Sequence, residues 1–266
     1  MIVQIQVLGS GTSHGVPVIG CRCAVCTSTD PRNKRMRTSA VVRFADRTVL
    51  IDTTPELRLQ ALSIGLDRLD AVLFTHAHAD HIMGFDELRR FTEITLKPIP
   101  VYASPATMAV LHRCFGYALT DIGYGLAGIP IVTWHAWTEP VEIAGHRLTP
   151  VHLEHGMHMA TGIRIDSPEG KSLAWCPDCH GIPERSREKL RGLDVLFLDG
   201  LRHRPHTTHF TVEQALTAIR DLAPRQAYLV HMTHDLDHEM TERAIPTMPG
   251  VPGGVRLAYD GLAVDV

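Results

Sequence analysis

Residues 74–81 read Phe74-Thr75-His76-Ala77-His78-Ala79-Asp80-His81, and this octet decides the fold. Four metal-binding side chains fall within six residues. An apolar run, Asp70-Ala71-Val72-Leu73-Phe74-Thr75, leads straight into them. Such a run is expected as a buried strand, and strand ends are where α/β folds keep their chemistry. Imidazole suits zinc, manganese or iron, and a carboxylate adds a harder oxygen ligand. Alternation along an extended chain sets His76 and His78 to one side and turns Asp80 and His81 to another, enough for two adjacent metals.

Three later segments offer further ligands. Pro150-Val151-His152-Leu153-Glu154-His155-Gly156 follows a strand; His155, at the turn, is the expected ligand and His152 a strand residue. In Trp175-Cys176-Pro177-Asp178-Cys179-His180, Asp178 lies just past a strand end, where a carboxylate can bridge two metals. In Tyr228-Leu229-Val230-His231-Met232-Thr233-His234, His231 ends another strand. Asp52 and Asp199 also end apolar strands, as acceptors behind ligand histidines or as ordinary strand-end caps.

The 266 residues are long enough to bury a sizeable core. A formal charge of −3 carries no polyanion-binding signature. The start, Met1-Ile2-Val3-Gln4-Ile5-Gln6-Val7, alternates like a strand and lacks the pattern of a secretion signal. No apolar run reaches membrane-spanning length. The 6 cysteines suit metal-bound or free thiols in a cytoplasmic protein. No linker or repeat divides the chain, so residues 1–266 are expected as a single domain.

Strands are expected at 2–8, 39–44, 49–52, 71–74, 131–134, 147–151, 162–165, 173–176, 195–199 and 226–231. Helices are expected at 55–64, with Thr54 as N-cap, and at 85–92, 104–115, 183–191 and 212–222. Residues 255–258 and 262–264 read as a closing hairpin. This alternation of strands and helices suits an αβ/βα four-layer sandwich, with helices covering two facing sheets.

A second cluster follows the glycine-rich loop Gly9-Ser10-Gly11-Thr12-Ser13-His14-Gly15. Gly20-Cys21-Arg22-Cys23-Ala24-Val25-Cys26 crowds three thiols into six residues, and zinc favours thiolates in closed tetrahedral sites. The loop, at about residues 20–27, has no fourth ligand nearby. His234 is the candidate, because a turn can aim it and His231 at different metals.

The octet followed by a His, an Asp and a late His resembles the metallo-β-lactamase superfamily, over essentially the whole chain. The resemblance implies the αβ/βα fold and a hydrolase. It places His76, His78 and His155 on one metal and Asp80, His81 and His231 on a second, with Asp178 bridging. The glycine-rich loop and Cys21, Cys23, Cys26 and His234 look like the PhnP-like phosphodiesterase branch. That resemblance implies a structural zinc on these four residues and a small, cyclic phosphodiester substrate such as 5-phosphoribosyl 1,2-cyclic phosphate. The active-site metals would be manganese or zinc, with iron a further option. A homodimer is common in the branch.

In the branch, as in tRNase Z enzymes, a histidine just before the 212–222 helix acts as general acid. His209 matches it, and with Asp80 completes the catalytic assignment. His203 and His206 are expected to touch substrate phosphate or face solvent, and His14 to line the site. Asp178 departs from the family pattern by lying between Cys176 and Cys179, which are read as packed thiols or as metal contacts. Three rivals share the scaffold: a tRNase Z-like nuclease, another hydrolase such as a thioesterase, and a non-turnover accessory protein similar to PqqB. The chain lacks the long basic insertion expected of a tRNA binder.

Overall fold

The computed structural model describes residues 3–44, 46–119, 128–245 and 254–266. Residue 2, included in the first expected strand, lies outside them. Strands β1 (Val3–Gly9), β2 (Ser39–Phe44), β3 (Arg47–Ile51), β4 (Ala71–Leu73), β5 (Ile99–Ala103) and β6 (Val132–Ala136) build most of one sheet. Strands β7 (Val141–Ile143), β8 (His146–His155), β9 (His158–Asp166), β10 (Ser172–Cys176), β11 (Val195–Asp199), β12 (Gln226–Val230) and β13 (Val255–Leu257) build the other. Strand β14 (Ala263–Asp265) returns to the first sheet beside β1. Both sheets mix parallel and antiparallel neighbours.

Alternation explains how the sheets face each other. Val3, Ile5 and Val7 of β1 join Phe44, Ile51 and Leu73 in a core shared with Ile163, Trp175, Phe197 and Val230 of the second sheet. Gln4 and Gln6 point the other way and bond to Asp265 and Arg43. Strand β11 is buried along its whole length, as a parallel strand covered on both faces must be. Its Val195 and Phe197 enter the inter-sheet core, while Leu196 and Leu198 enter the helix-side core.

The helices lie outside. They are α1 (Ala24–Thr27), α2 (Leu57–Ser63), α3 (Ala79–Ile82), α4 (Leu88–Thr95), α5 (Pro105–Cys114), α6 (Glu184–Leu190), α7 (Val212–Leu222) and α8 (His238–Ala244). Residues of α2, α4 and α5 pack with Leu50, Val72 and Val101 on one outer face. Residues of α6 and α7 pack with Leu196, Leu198 and Leu229 on the other. The result is the expected αβ/βα sandwich. Helix α7 starts at a capping box in which Thr211 and Gln214 each serve the other's backbone amide.

The closing hairpin does not form. Strand β13 runs parallel to β12 and β14 antiparallel to β1, so the two belong to different sheets. The turn between them is tied to the first sheet, since the Gly261 amide donates to Val7 O and the Val7 amide to Leu262 O, both at 2.8 Å. Asp260 anchors the same turn by accepting from Ser10 and Met36. Helix α2 starts at Leu57, and the Thr54 hydroxyl donates to Gln60 instead of capping it. Strands β5 and β7 and helices α1, α3 and α8 were not expected.

Candidate metal centre

Each half of the octet has its own conformation. His76 and His78 lie on the loop after β4, but Asp80 and His81 sit in the first turn of α3, with His78 at its N-cap. The expected extended alternation therefore gives way to a loop-to-helix switch, and this switch divides the candidate ligands into two sets. The His81 amide closes the helical turn on His78 O, and His81 O accepts from the Thr53 amide at 2.8 Å.

One set comprises His76, His78 and His155. His78 Nδ1 lies 2.9 Å from His76 Nε2 and 3.2 Å from His155 Nε2. His155 ends β8 at a tight turn, where Gly156 has φ +64°. A Cβ at Gly156 would lie 2.7 Å from the Thr208 side chain, so glycine lets the 208–209 loop close on the site. His155 Nδ1 donates to Thr208 O at 2.9 Å, which leaves Nε2 for the centre.

Asp80, His81 and His231 form the other set. His81 Nε2 lies 3.3 Å from Asp80 Oδ2, and His231 Nε2 lies 3.8 Å from the same oxygen. Asp178 stands between the sets. Its Oδ1 is 3.3 Å from His81 Nε2, and its Oδ2 is 3.2 Å from His231 Nε2 and 3.9 Å from both His76 and His155 Nε2.

Buried acceptors hold the rings. Asp52 Oδ2 accepts a hydrogen bond from His81 Nδ1 at 2.8 Å, and Asp52 also accepts from the Thr75 amide and hydroxyl. Asp52 (φ +62°) and His231 (φ +61°) adopt the left-handed region that ordinary residues avoid, and both sit at this site. Asp199, at the end of β11, accepts from His209 Nδ1 at 2.6 Å and from the Cys179 amide at 2.9 Å. It thus orients His209, not a member of either metal-facing set. The His209 ring stacks on His231 with centroids 4.5 Å apart and lies 4.8 Å from His155.

The donor set fits divalent metal. His81 Nε2, Asp178 Oδ1 and both ring nitrogens of His231 are buried without a hydrogen-bond partner. Buried polar atoms left this way are costly unless something fills the space between them. Burial lowers the pKa of His76 and brings His155 to about 4, keeping both rings in the neutral, metal-binding form. Burial disfavours charge on Asp178 too, yet His231, His81 and His76 outweigh it and hold the carboxyl well below its usual range. Carboxylates packed among imidazoles call for a cation at the centre.

The thiol loop forms a separate cluster. His234 Nδ1 lies 3.2, 3.5 and 3.4 Å from the sulfurs of Cys21, Cys23 and Cys26. The Cys26 amide brings the Cys23 thiol down to about 6, while burial raises Cys26 to about 11. Three thiols and an imidazole at this spacing match a closed tetrahedral zinc set.

Other residues fall elsewhere. Cys176 and Cys179 are fully buried in the helix-side core, and burial pushes Cys176 up to about 12, so they are packed thiols. His152 is exposed on β8. His203 pairs with Glu213 at 2.6 Å, whereas His206 lies 5.1 Å, ring to ring, from His209. His158, given no role from sequence, lies across the β8–β9 turn with its ring 6.2 Å from His78. Its one sequence signal was its place three residues after His155.

The family model for the β-lactamase superfamily domain matches residues 47–232, more than half of the chain. A crystal structure of a diphosphatase from the PhnP family superposes with a TM-score of 0.89 at 41% identity, covering 100% of this chain and 98% of that one. A curated relative from Porphyromonas gingivalis named octanoyltransferase is 34% identical over 96% of this chain, which spans only 50% of that relative's length. Coenzyme PQQ synthesis protein B of Methylorubrum populi is 26% identical over 99% of this chain and 100% of its own. Among the described residues no helix is long and apolar enough to cross a membrane. The chain belongs to the metallo-β-lactamase superfamily and is a PhnP-like, metal-dependent hydrolase of that fold.

Proposed function

We propose that the chain hydrolyses a small phosphodiester, with a cyclic ribose phosphate as the leading substrate class. The observation that carries this reading is the buried Asp199–His209 pair set against the His/Asp cluster. His76, His78 and His155 would hold one divalent metal, Asp80, His81 and His231 a second, and Asp178 would touch both. Manganese, zinc or iron suits such a donor set. Cys21, Cys23, Cys26 and His234 would hold a structural zinc. When bound, the active-site metals supply Lewis-acid stabilisation of phosphoryl oxygens and hydroxide at neutral pH.

The chain's own groups do the remaining work. Asp52 and Thr208 O fix the His81 and His155 rings, so their Nε2 atoms face a common space. Asp80 and Asp178 add negative charge that keeps the centre selective for cations. Asp199 holds the proton on His209 Nδ1, leaving Nε2 to present a proton to the departing oxygen. Burial lowers the His209 pKa, opposed by the Asp178 and Asp80 carboxylates. The imidazolium is then a stronger acid than a free histidine, suited to an alkoxide leaving group.

The similarity to a diphosphatase supports a second reading, cleavage of a P–O–P linkage. A departing phosphate is a far weaker base than an alkoxide, so such a reaction needs a general acid less. The Asp199–His209 pair therefore favours the phosphodiester. A small substrate is further favoured by the net charge of −3, which carries no polyanion-binding signature. Neither a membrane partner nor nucleic acid is needed; a homodimer accords with the branch, and a cytoplasmic setting with free or metal-bound thiols.

Metal-reconstituted protein assayed with a cyclic ribose phosphate, a diphosphate diester, bis-p-nitrophenyl phosphate and pre-tRNA tests the proposal. The cyclic phosphodiester is expected to give the highest kcat/KM. Cleavage confined to pre-tRNA, or no turnover of any phosphodiester, would overturn it.

A further inference from the structure

The exposed members of the His/Asp cluster mark where it opens. His81, His155, Asp178 and His231 are buried, whereas His78 is exposed and Asp80 half-buried. The opening therefore lies on the side of His78 and Asp80. His158 stands at its edge, with its ring meeting the His78 ring at 89° and 6.2 Å between centroids. From there the rings continue in a row, His78 to His155 at 4.9 Å and His155 to His209 at 4.8 Å. His158 and His209 occupy the two ends of this row, with His78 and His155 between them.

Backbone bonds on two sides hold His158 in place. Strands β8 and β9 pair with His155 opposite His158, so only Gly156 and Met157 make the turn. The Thr161 amide donates to Thr75 O at 2.8 Å, which docks β9 on the residue before His76. On the other side the Glu154 amide donates to Gly181 O at 3.0 Å and the His180 amide to Glu154 O at 2.9 Å. These two bonds tie β8 to the loop that carries Asp178. Met157, at the tip of the turn, is 97% exposed, so backbone bonds and not packing at the tip fix its position.

Nothing else in the described chain uses this ring. His158 is exposed, and its imidazole makes no hydrogen bond among the described residues. An imidazole offers an N–H in either tautomer, a donor suited to an anionic oxygen. A donor held at the opening before substrate arrives lowers the ordering cost of binding.

We propose that His158 is a substrate-binding residue that donates an N–H to a non-bridging phosphoryl oxygen, at the end of the site away from His209. The inference deepens the phosphodiesterase reading and rests on it. It divides the work between two histidines. His209 serves the oxygen that leaves, and His158 serves the oxygens that stay on phosphorus. A contact to retained oxygens is indifferent to the leaving group, which separates the two roles by experiment.

Metal-reconstituted wild type and His158 variants are compared on a cyclic ribose phosphate and on bis-p-nitrophenyl phosphate, with metal content measured on each sample. Because His158 is exposed, substitution there spares the fold. His158→Ala is expected to lower kcat/KM about tenfold on both esters alike, with metal content unchanged. His158→Asn and His158→Gln place an amide N–H near the Nδ1 and Nε2 positions, and one of them is expected to recover most of the loss. His158→Phe keeps a ring without a donor and is expected to recover none. Wild-type kcat/KM in His158→Ala, a loss confined to one ester, recovery by His158→Phe, failure of both amide variants, or loss of metal overturns the proposal. Should wild type cleave neither ester, the phosphodiesterase reading fails separately, and calorimetry with inorganic phosphate on metal-loaded protein decides the role of His158. Phosphate affinity about tenfold weaker in His158→Ala then supports it; absent or unaltered binding overturns it.

Discussion

The His/Asp cluster and the thiol cluster are built over different lengths of chain. The first draws on the octet, the ends of β8 and β12 and the loop after β10, so it exists only once both sheets have met. The second takes three thiols from one short loop and borrows only His234 from afar. The first buries His81, His155, Asp178 and His231 to 1% exposure or less and leaves several of their polar atoms unpartnered. The second is half-exposed, and each of its sulfurs already faces His234. A centre with spare buried ligand atoms and a backed histidine beside it is equipped for chemistry. A closed set on a surface loop is equipped to hold that loop in place.

Replacing the central carboxylate should break this contrast most severely. Asp178→Ala is expected to reduce activity to background and to lower elemental metal content from about three ions per chain to about one, the thiol-site ion remaining. Full metal retention would remove Asp178 from its central role. Asp52→Asn should act more mildly. It keeps the shape but weakens the acceptor behind His81, so metal affinity at the centre is expected to fall about 10–100-fold in a chelator titration.

Cys23→Ser tests the other side. It should release the thiol-site metal, leave the His/Asp metals bound and lower the melting temperature, by about 2–4 °C for each kcal/mol lost. Loss of the His/Asp metals in the same variant would show that the two clusters are not separable. The smallest effect is expected at His203, whose exposed pairing with Glu213 lies outside both clusters. His203→Ala should stay within about 0.5 kcal/mol of wild type in denaturant unfolding, and a larger change would assign that pair a structural weight its exposure argues against.

The same contrast explains what could be read in advance. The octet's histidines and aspartate, His155, Asp178 and His231 stand beside strand ends, and strand ends follow from apolar runs. The thiol loop is local and legible from spacing alone. The helix beginning at Ala79 was not, because four residues give too short a period to recognise. The fate of β13 and β14 depended on long-range bonds from Gly261 to Val7 and from Asp260 to Ser10, which no local pattern records. Cys176 and Cys179 flank Asp178 in sequence, yet both side chains enter the helix-side core. His158 reaches the centre only through the register that pairs it with His155.

The most direct test of the central claim compares His209→Ala with wild type on two leaving groups, with metal content measured on the same samples. A cyclic ribose phosphate expels an alkoxide, whereas bis-p-nitrophenyl phosphate expels a phenolate that needs no proton. The account requires a loss of about 10²–10⁴-fold on the cyclic ester, a far smaller loss on the nitrophenyl ester, and unchanged metal content. An unaltered rate on the cyclic ester, or equal losses on both, would contradict it.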